Sequence, residues 1–211
     1  YEDGTGVSRD CVVLYDSTSE YGVEIITMET VEDVTLGRDD PTTIGSDNFT
    51  KAMNSYNSAI STLNNATSKY INTTYADASR SVGSVPNNPS LEAGMHTTQF
   101  GGSYSGRLRD TDTNYETDYN QMGTLAIRNI DDSYWLASRL VGSTSSVSGF
   151  YVRLVDASGT LSNYRLCYVY SSGGAFSNSR TYGLRPVFHL KSGIKVTGGT
   201  GEEGSPYILG T

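Results

Sequence analysis

The sequence predicts an α+β domain, with strands at both ends and one long helix between them. Three observations carry that expectation. Strand-like runs flank a single stripe of large apolar residues at helical spacing. A long irregular stretch separates this helix from the second set of strands. No alternation of strand and helix suggests parallel βαβ units, and nothing recurs at solenoid periods. At 211 residues the chain fits one domain with a sizeable core.

CVVLYD (11–16) and YGVEIITMET (21–30) read as short strands separated by the turn-prone STSE. VEDVTLG extends the second until RDDPTTIGSD breaks it. In SDNFTKAMNSYNSAISTLNNATSKYINTTY the apolar residues Phe49, Met53, Tyr56, Ile60, Leu63 and Tyr70 form one stripe of an amphipathic helix. Ser46 or Asp47 can cap it. Its other face is Asn, Ser and Thr, so packing rather than propensity must hold it. ADASRSVG reads as a helical fragment dissolving into a loop at Gly83 and Pro86, and residues 95–120 read as irregular. Strands return in TLAIRNI, SYWLASRLV, FYVRLVD, LSNYRLCYVY and YGLRPVFHL, with ASGT (157–160) as a hairpin turn. IKVTGGTGEEGSPYILG reads as a two-strand finish. The expected organisation is a single domain, 1–211, with N-terminal strands in 1–44, a core in 45–191 and a hairpin tail in 192–211.

Composition narrows the function classes. The formal charge is −8, from 15 basic and 23 acidic residues. No Lys/Arg cluster could displace counterions from phosphates or hold an anionic bilayer, so neither nucleic acid nor a membrane surface is an expected partner. No apolar run is long enough to span a membrane. The chain starts at Tyr1 without a signal-like segment and reads as a mature or trimmed fragment. Cys11 and Cys167 read either as two separate thiols or as one disulfide. Scarce Lys with abundant Ser, Thr, Asn, Gly and Tyr suits a secreted or surface protein.

Signals for catalysis are few. His96 falls in a loop, and His189 falls in VFHLK, where a packed, hydrogen-bonded histidine is expected. Neither GxSxG nor HExxH occurs. In RDTDTNYETDYNQ (109–121), Asp110, Asp112, Asn114 and Asp118 occupy EF-hand ligand positions. Tyr115 replaces the required Gly and Gln121 the bidentate Glu, so the stretch is not an EF-hand; it reads as a hydrogen-bonded Asx-turn loop, with a looser calcium loop as the alternative. Asn48, Asn65 and Asn72 head N-x-[ST] triplets, acceptors only on a eukaryotic secretory route. No catalytic residue, metal or cofactor is assigned.

One segment is unusual. Residues 136–190 contain no Lys, Glu, Gln, Met or Trp, where proportion to the whole chain would give about five. Strand preference explains the lack of Lys and Glu but not of the others. Tyr supplies 16 aromatic residues against five Phe and one Trp. Tyr, Ser, Gly and Asn are the working residues of evolved binding loops, in which rigid rings supply contact area and small polar groups adapt.

SYWLASR (133–139), FYVRLVDASG (150–159), LCYVYSSGG (166–174) and YGLRPVFHLKSGIKVTGGTGEEGSPYIL (182–209) resemble a family of bacterial surface proteins with a C-type-lectin-like domain. That family belongs with the variable proteins of diversity-generating retroelements and with formylglycine-generating enzymes. YNSAISTLNNATSKYINTTYADASRSVGSVP is similar too, so the resemblance covers roughly residues 45–209, and YWLASR and GLRPV are its specific parts. It implies a C-type-lectin-like fold in which the long helix packs on a small, mostly antiparallel twisted sheet. It also implies constant strands bearing a surface rewritten by adenine-directed mutagenesis, whose codons do not reach the five missing residue types. The EPN, QPD and WND motifs of calcium-dependent sugar lectins are absent, as are their four cysteines. The cysteine pair of formylglycine-generating enzymes is missing, since Cys167 stands alone.

On this resemblance Trp135, Arg139, Gly183, Arg185 and Pro186 are scaffold. Leu140, Gly142, Thr144, Val147, Gly149, Tyr151, Asn163, Tyr164, Arg165, Tyr168, Ala175, Ser177, Asn178, Arg180 and Thr181 are display positions within a variable segment, 140–181. Tyr151, Tyr164, Tyr168, Arg165 and Arg180 are the expected anchors. The implied function is a non-catalytic receptor or adhesin domain, extracellular or cell-surface, binding a protein or cell-surface ligand. The rivals are a pilin-like or envelope subunit and a degenerate formylglycine-generating-type enzyme.

Overall fold

A computed structural model of the chain describes residues 1–38, 46–84, 114–124, 128, 130–202 and 204–211. In chain order its elements are β1 (Cys11–Tyr15), β2 (Glu24–Thr27), β3 (Glu32–Gly37), α1 (Ser46–Thr67), a 3₁₀ turn (Ser68–Tyr70), β4 (Ala76–Ser81), α2 (Asn114–Thr124), β5 (Tyr134–Ser143), β6 (Val147–Val155), β7 (Leu161–Tyr170), β8 (Ala175–Ser177), β9 (Ser179–Leu184), β10 (Pro186–Leu190), β11 (Lys195–Gly198) and β12 (Ile208–Gly210). The architecture is α+β and dominated by strands. A four-stranded sheet has the order β1-β2-β10-β4, a six-stranded sheet the order β3-β9-β5-β6-β7-β8, and β11 and β12 form a separate hairpin. Every pairing is antiparallel except β5 with β9.

Two apolar layers hold the elements together. The stripe on α1 buries Tyr56, Ile60 and Leu63 against Trp135, Phe150, Val152 and Leu184 of the larger sheet and Phe188 of the smaller. On the far face of the smaller sheet, Leu14, Ile26 and Val187 meet Met122 of α2 with Tyr134 and Leu136 of β5. Strand alternation produces this division. Ile25 and Phe188 face α1, while their neighbours Ile26 and Val187 face α2.

The segment YWLASR is where the layers join. Trp135 and Ala137 enter the first layer and Tyr134 and Leu136 the second. Trp135 donates its indole N–H to the Val34 carbonyl at 2.8 Å. The register of β5 against β6 shifts between Trp135 and Arg139. The buried Arg139 turns inward, donating to the Asn57 carbonyl of α1 at 3.3 Å and lying 5.2 Å from the Tyr56 ring. Arg153 fills the irregularity by donating to Ser138 Oγ at 2.6 Å.

Several sequence expectations are corrected. YGLRPVFHL is not one strand; the chain leaves the six-stranded sheet at Leu184 and enters the four-stranded one at Pro186. The residue between them, Arg185, is fully buried and donates twice to the Thr27 carbonyl, at 3.1 and 2.6 Å. ADASRS is strand β4 rather than a helical fragment, and VEDVTLG is a strand of the other sheet rather than an extension of β2. Residues 114–124 form α2 rather than an Asx-turn loop. Asp118, read as a position of that loop, is fully buried and bonded to Arg80, to the Gly83 amide at 2.7 Å and to the Tyr15 hydroxyl at 2.8 Å. Asp110, Asp112 and His96 lie outside the described residues, as does most of TLAIRNI.

Both cysteines are free thiols, so the alternative of a disulfide falls. Burial pushes each up to about 12, and Cys167 Sγ lies 3.1 Å from the Met53 sulfur. The N-x-[ST] triplets are built into structure. Asn48 is buried, the Thr67 hydroxyl of the Asn65 triplet is bonded to Ser79 at 2.8 Å, and Asn72 accepts from the Thr74 amide at 3.0 Å.

Candidate functional site

The β6–β7 ladder decides which of the display positions come together. In an antiparallel pair, residues directly opposite project to the same face. Phe150 stands opposite Cys167, and both are buried under α1, where Tyr56 packs edge-on to Phe150. Tyr151 opposite Arg165, and Gly149 opposite Tyr168, therefore project away from α1. Continuing the rows, Leu140 lies beside Tyr151 and Gly142 beside Gly149. Phe176 lies beside Tyr168, and Val147 opposite Tyr170.

A bulge makes this grouping possible. Between Tyr151 and Phe150 on β6 no residue intervenes, but Leu166 intervenes between their partners Arg165 and Cys167 on β7. Residues three apart on a regular strand face opposite ways. The extra residue re-phases β7, so Arg165 and Tyr168 share the outer face while Leu166 and Cys167 are both buried. The bulge is tied down from β9's side of the chain, where the Asn178 amide donates to the Leu166 carbonyl at 2.7 Å.

The rings on this face touch one another. Tyr168 stacks on Phe176 with centroids 5.1 Å apart and meets Tyr170 edge-on at 4.9 Å. Tyr170 donates to the Tyr168 hydroxyl at 3.2 Å. The Arg165 guanidinium lies 4.2 Å from the centroid of the Tyr168 ring. The Tyr151 ring occupies the space above Gly149, where a Cβ would stand 2.6–2.8 Å from its outer atoms. Tyr170 and Phe176 are 44% and 40% exposed, large values for apolar rings, and neither was among the expected display positions. The period-2 pair Tyr168 and Tyr170 could have been read from CYVYS; Phe176, inside a Ser/Gly run, could not.

The remaining positions are placed otherwise. Gly149 and Ser177 are buried, so Ser177 displays nothing; its row, opposite Cys167, faces α1. Tyr164 packs edge-on to Tyr182, which packs edge-on to Trp135, and the exposed Arg180 lies 5.8 and 5.6 Å from the Tyr164 and Tyr182 rings. Thr181 shares a hydroxyl bond of 2.6 Å with Thr35, and Asn178 reaches the Arg165 carbonyl at 3.3 Å. Thr144 closes the β5–β6 turn with Val147. Asn163 and Ala175 are exposed. Thus Leu140, Gly142, Val147, Gly149, Tyr151, Arg165 and Tyr168 share one surface, and Tyr164 and Arg180 belong to a second, separate group.

A cleft of about 470 Å³ lies on the four-stranded sheet, lined by Glu20, Tyr21, Glu24, Asp77, Ser79 and His189 among others. Its polar groups are committed. His189 Nδ1 bonds Asp77 at 2.8 Å, the Ser79 hydroxyl bonds Thr67, and Glu24 holds the buried Arg80 at 3.1 and 2.6 Å. Among the described residues no three His, Cys, Asp or Glu side chains gather as metal ligands, and no helix is long and apolar enough to cross a membrane. Comparison of the chain with protein-family models, curated proteins and solved structures gives no match.

Proposed function

We propose that the protein is a non-catalytic ligand-binding domain of the receptor or adhesin type, built on a C-type-lectin-like scaffold. Its diversified surface includes the outer face of β5–β8, and its ligand is a protein or cell-surface molecule met outside the cell. The observation that carries this reading is the cluster of Tyr151, Arg165, Tyr168, Tyr170 and Phe176 on the face of β5–β8 turned away from α1. Contiguous exposed rings mark interaction surfaces, and Tyr with Arg concentrates binding energy. The composition of residues 136–190 supports the same reading.

Sequencing the gene and its neighbourhood across isolates tests it. Substitutions gathered at the outward positions of β5–β8, beside a reverse transcriptase and a near-copy template, are the expected result. Changes spread evenly over the chain, with no template, would refute diversification. One observation favours a second reading, an assembly subunit of pilin-like or envelope type. The β11–β12 hairpin exposes Val196, Tyr207 and Ile208 at 57%, 50% and 59%. Concentration-dependent self-association, abolished by Ile208→Lys, would establish that reading instead.

A further inference from the structure

We infer that the outer face of β5–β8 receives an acidic segment of a partner protein, with Arg165 holding its carboxylate. This deepens, and rests on, the binding function proposed above.

Five other arginines are used within the chain. Arg9 pairs with Asp3, Arg80 with Glu24 and Asp118, Arg139 donates to Asn57, Arg153 to Ser138 and Arg185 to Thr27. Arg165 is exposed and lies against Tyr168, and among the described residues no acceptor takes its guanidinium N–H groups. Stacking on a ring fixes the plane of a guanidinium while leaving its N–H edge open, the geometry for a bidentate carboxylate. A second donor stands beside it. The Tyr168 hydroxyl accepts from Tyr170, which leaves its own proton for an outside acceptor to take.

The outward positions of β5–β8 set no acidic side chain beside Arg165. Residues 136–190 hold one acidic residue, Asp156, in the turn after β6. That turn follows the Val155–Leu161 end of the ladder, whereas Tyr170 lies at the other, opposite Val147. A ring-lined face that carries Arg165 and no acidic side chain is complementary to a carboxylate.

The test pans a random peptide display library on the intact chain and measures the recovered peptides by calorimetry. Wild type is compared with Arg165→Glu, Arg165→Lys and the double variant Tyr168→Ala/Phe176→Ala. The expected peptides are enriched in Asp and Glu over the input library. They weaken at least about tenfold on Arg165→Glu, less on Arg165→Lys, and steadily with added salt. Melting temperatures should stay within a few degrees, since Arg165 is exposed. Peptides without acidic enrichment that ignore Arg165→Glu but are lost on the double variant would overturn the acidic partner and leave the binding face standing. Peptides indifferent to every variant would overturn both. Self-association of the chain that Arg165→Glu dissolves would make a second copy the occupant and overturn the inference.

Discussion

Gly149 carries no side chain, and the Tyr151 ring uses the room. A Cβ there would stand 2.6 Å from the Tyr151 hydroxyl oxygen, but the atoms it meets are the far end of a side chain that can swing away. Gly149→Val should therefore cost little stability and still remove the ring from its place. Unchanged thermal melting, with shifted Tyr151 and Tyr168 resonances, is the expected result. Asp3 offers a contrasting case. Burial opposes its ionisation, but hydrogen bonds from Thr5, Arg9 and the Val7 amide outweigh burial and hold its pKa below the ordinary value. A depressed folded pKa stabilises above the unfolded value, and that contribution is lost as pH falls through the folded one. Protection of the Thr5 and Val7 amides should thus decline as pH drops below about 4, and Asp3→Asn should abolish the dependence. At this scale the sequence was partly readable. Arg165 and Tyr168 stand out by residue type, whereas the burial of Ser177 depends on a cross-strand partner that no local pattern names.

Elements were readable where burial follows apolar periodicity. The α1 stripe is such a case, since Tyr56, Ile60 and Leu63 all enter the core. β4 failed that logic because most of its buried residues are polar. Ser79 is bonded to Thr67, the Ser81 amide donates to Asn64 at 2.9 Å, and Arg80 is held by two carboxylates. α2 was misread for the same reason, as Asp118 looked like a loop ligand until Arg80 supplied its partner. The β7 bulge left no trace in the alternation. Deleting Leu166 should restore regular pairing and leave Arg165 and Tyr168, then two residues apart, on the same outer face. A fall in melting temperature from the lost buried side chain, with peptide binding retained, would follow; loss of binding would show that the bulge itself shapes the face.

Across the whole molecule, one buried cation links the layers. Arg80 on β4 bridges Glu24 on β2 and Asp118 on α2, each at 2.6 Å, with all three side chains at most 2% exposed. Removing only the cation leaves two buried carboxylates facing each other. Arg80→Met should cost about 3–5 kcal/mol in denaturant unfolding, and Glu24→Gln/Asp118→Asn in the same background should recover part of it. Trp135→Ala should cost a similar about 3–5 kcal/mol, since the indole is fully buried and bonds Val34. By contrast, Tyr151→Ala/Tyr168→Ala should leave melting within a few degrees, because these rings lie outside both layers. The sequence suggested the division between held and displayed residues, but not that the chain crosses between sheets at Arg185, because that crossing is held by the distant Thr27 carbonyl. The bulge at Leu166 has a last consequence, for inheritance. Exchanging residues on β7 leaves the frame intact, whereas gaining or losing one residue elsewhere than at the bulge swaps outside for inside along part of the strand. A lineage can vary this face freely in spelling, but hardly at all in length.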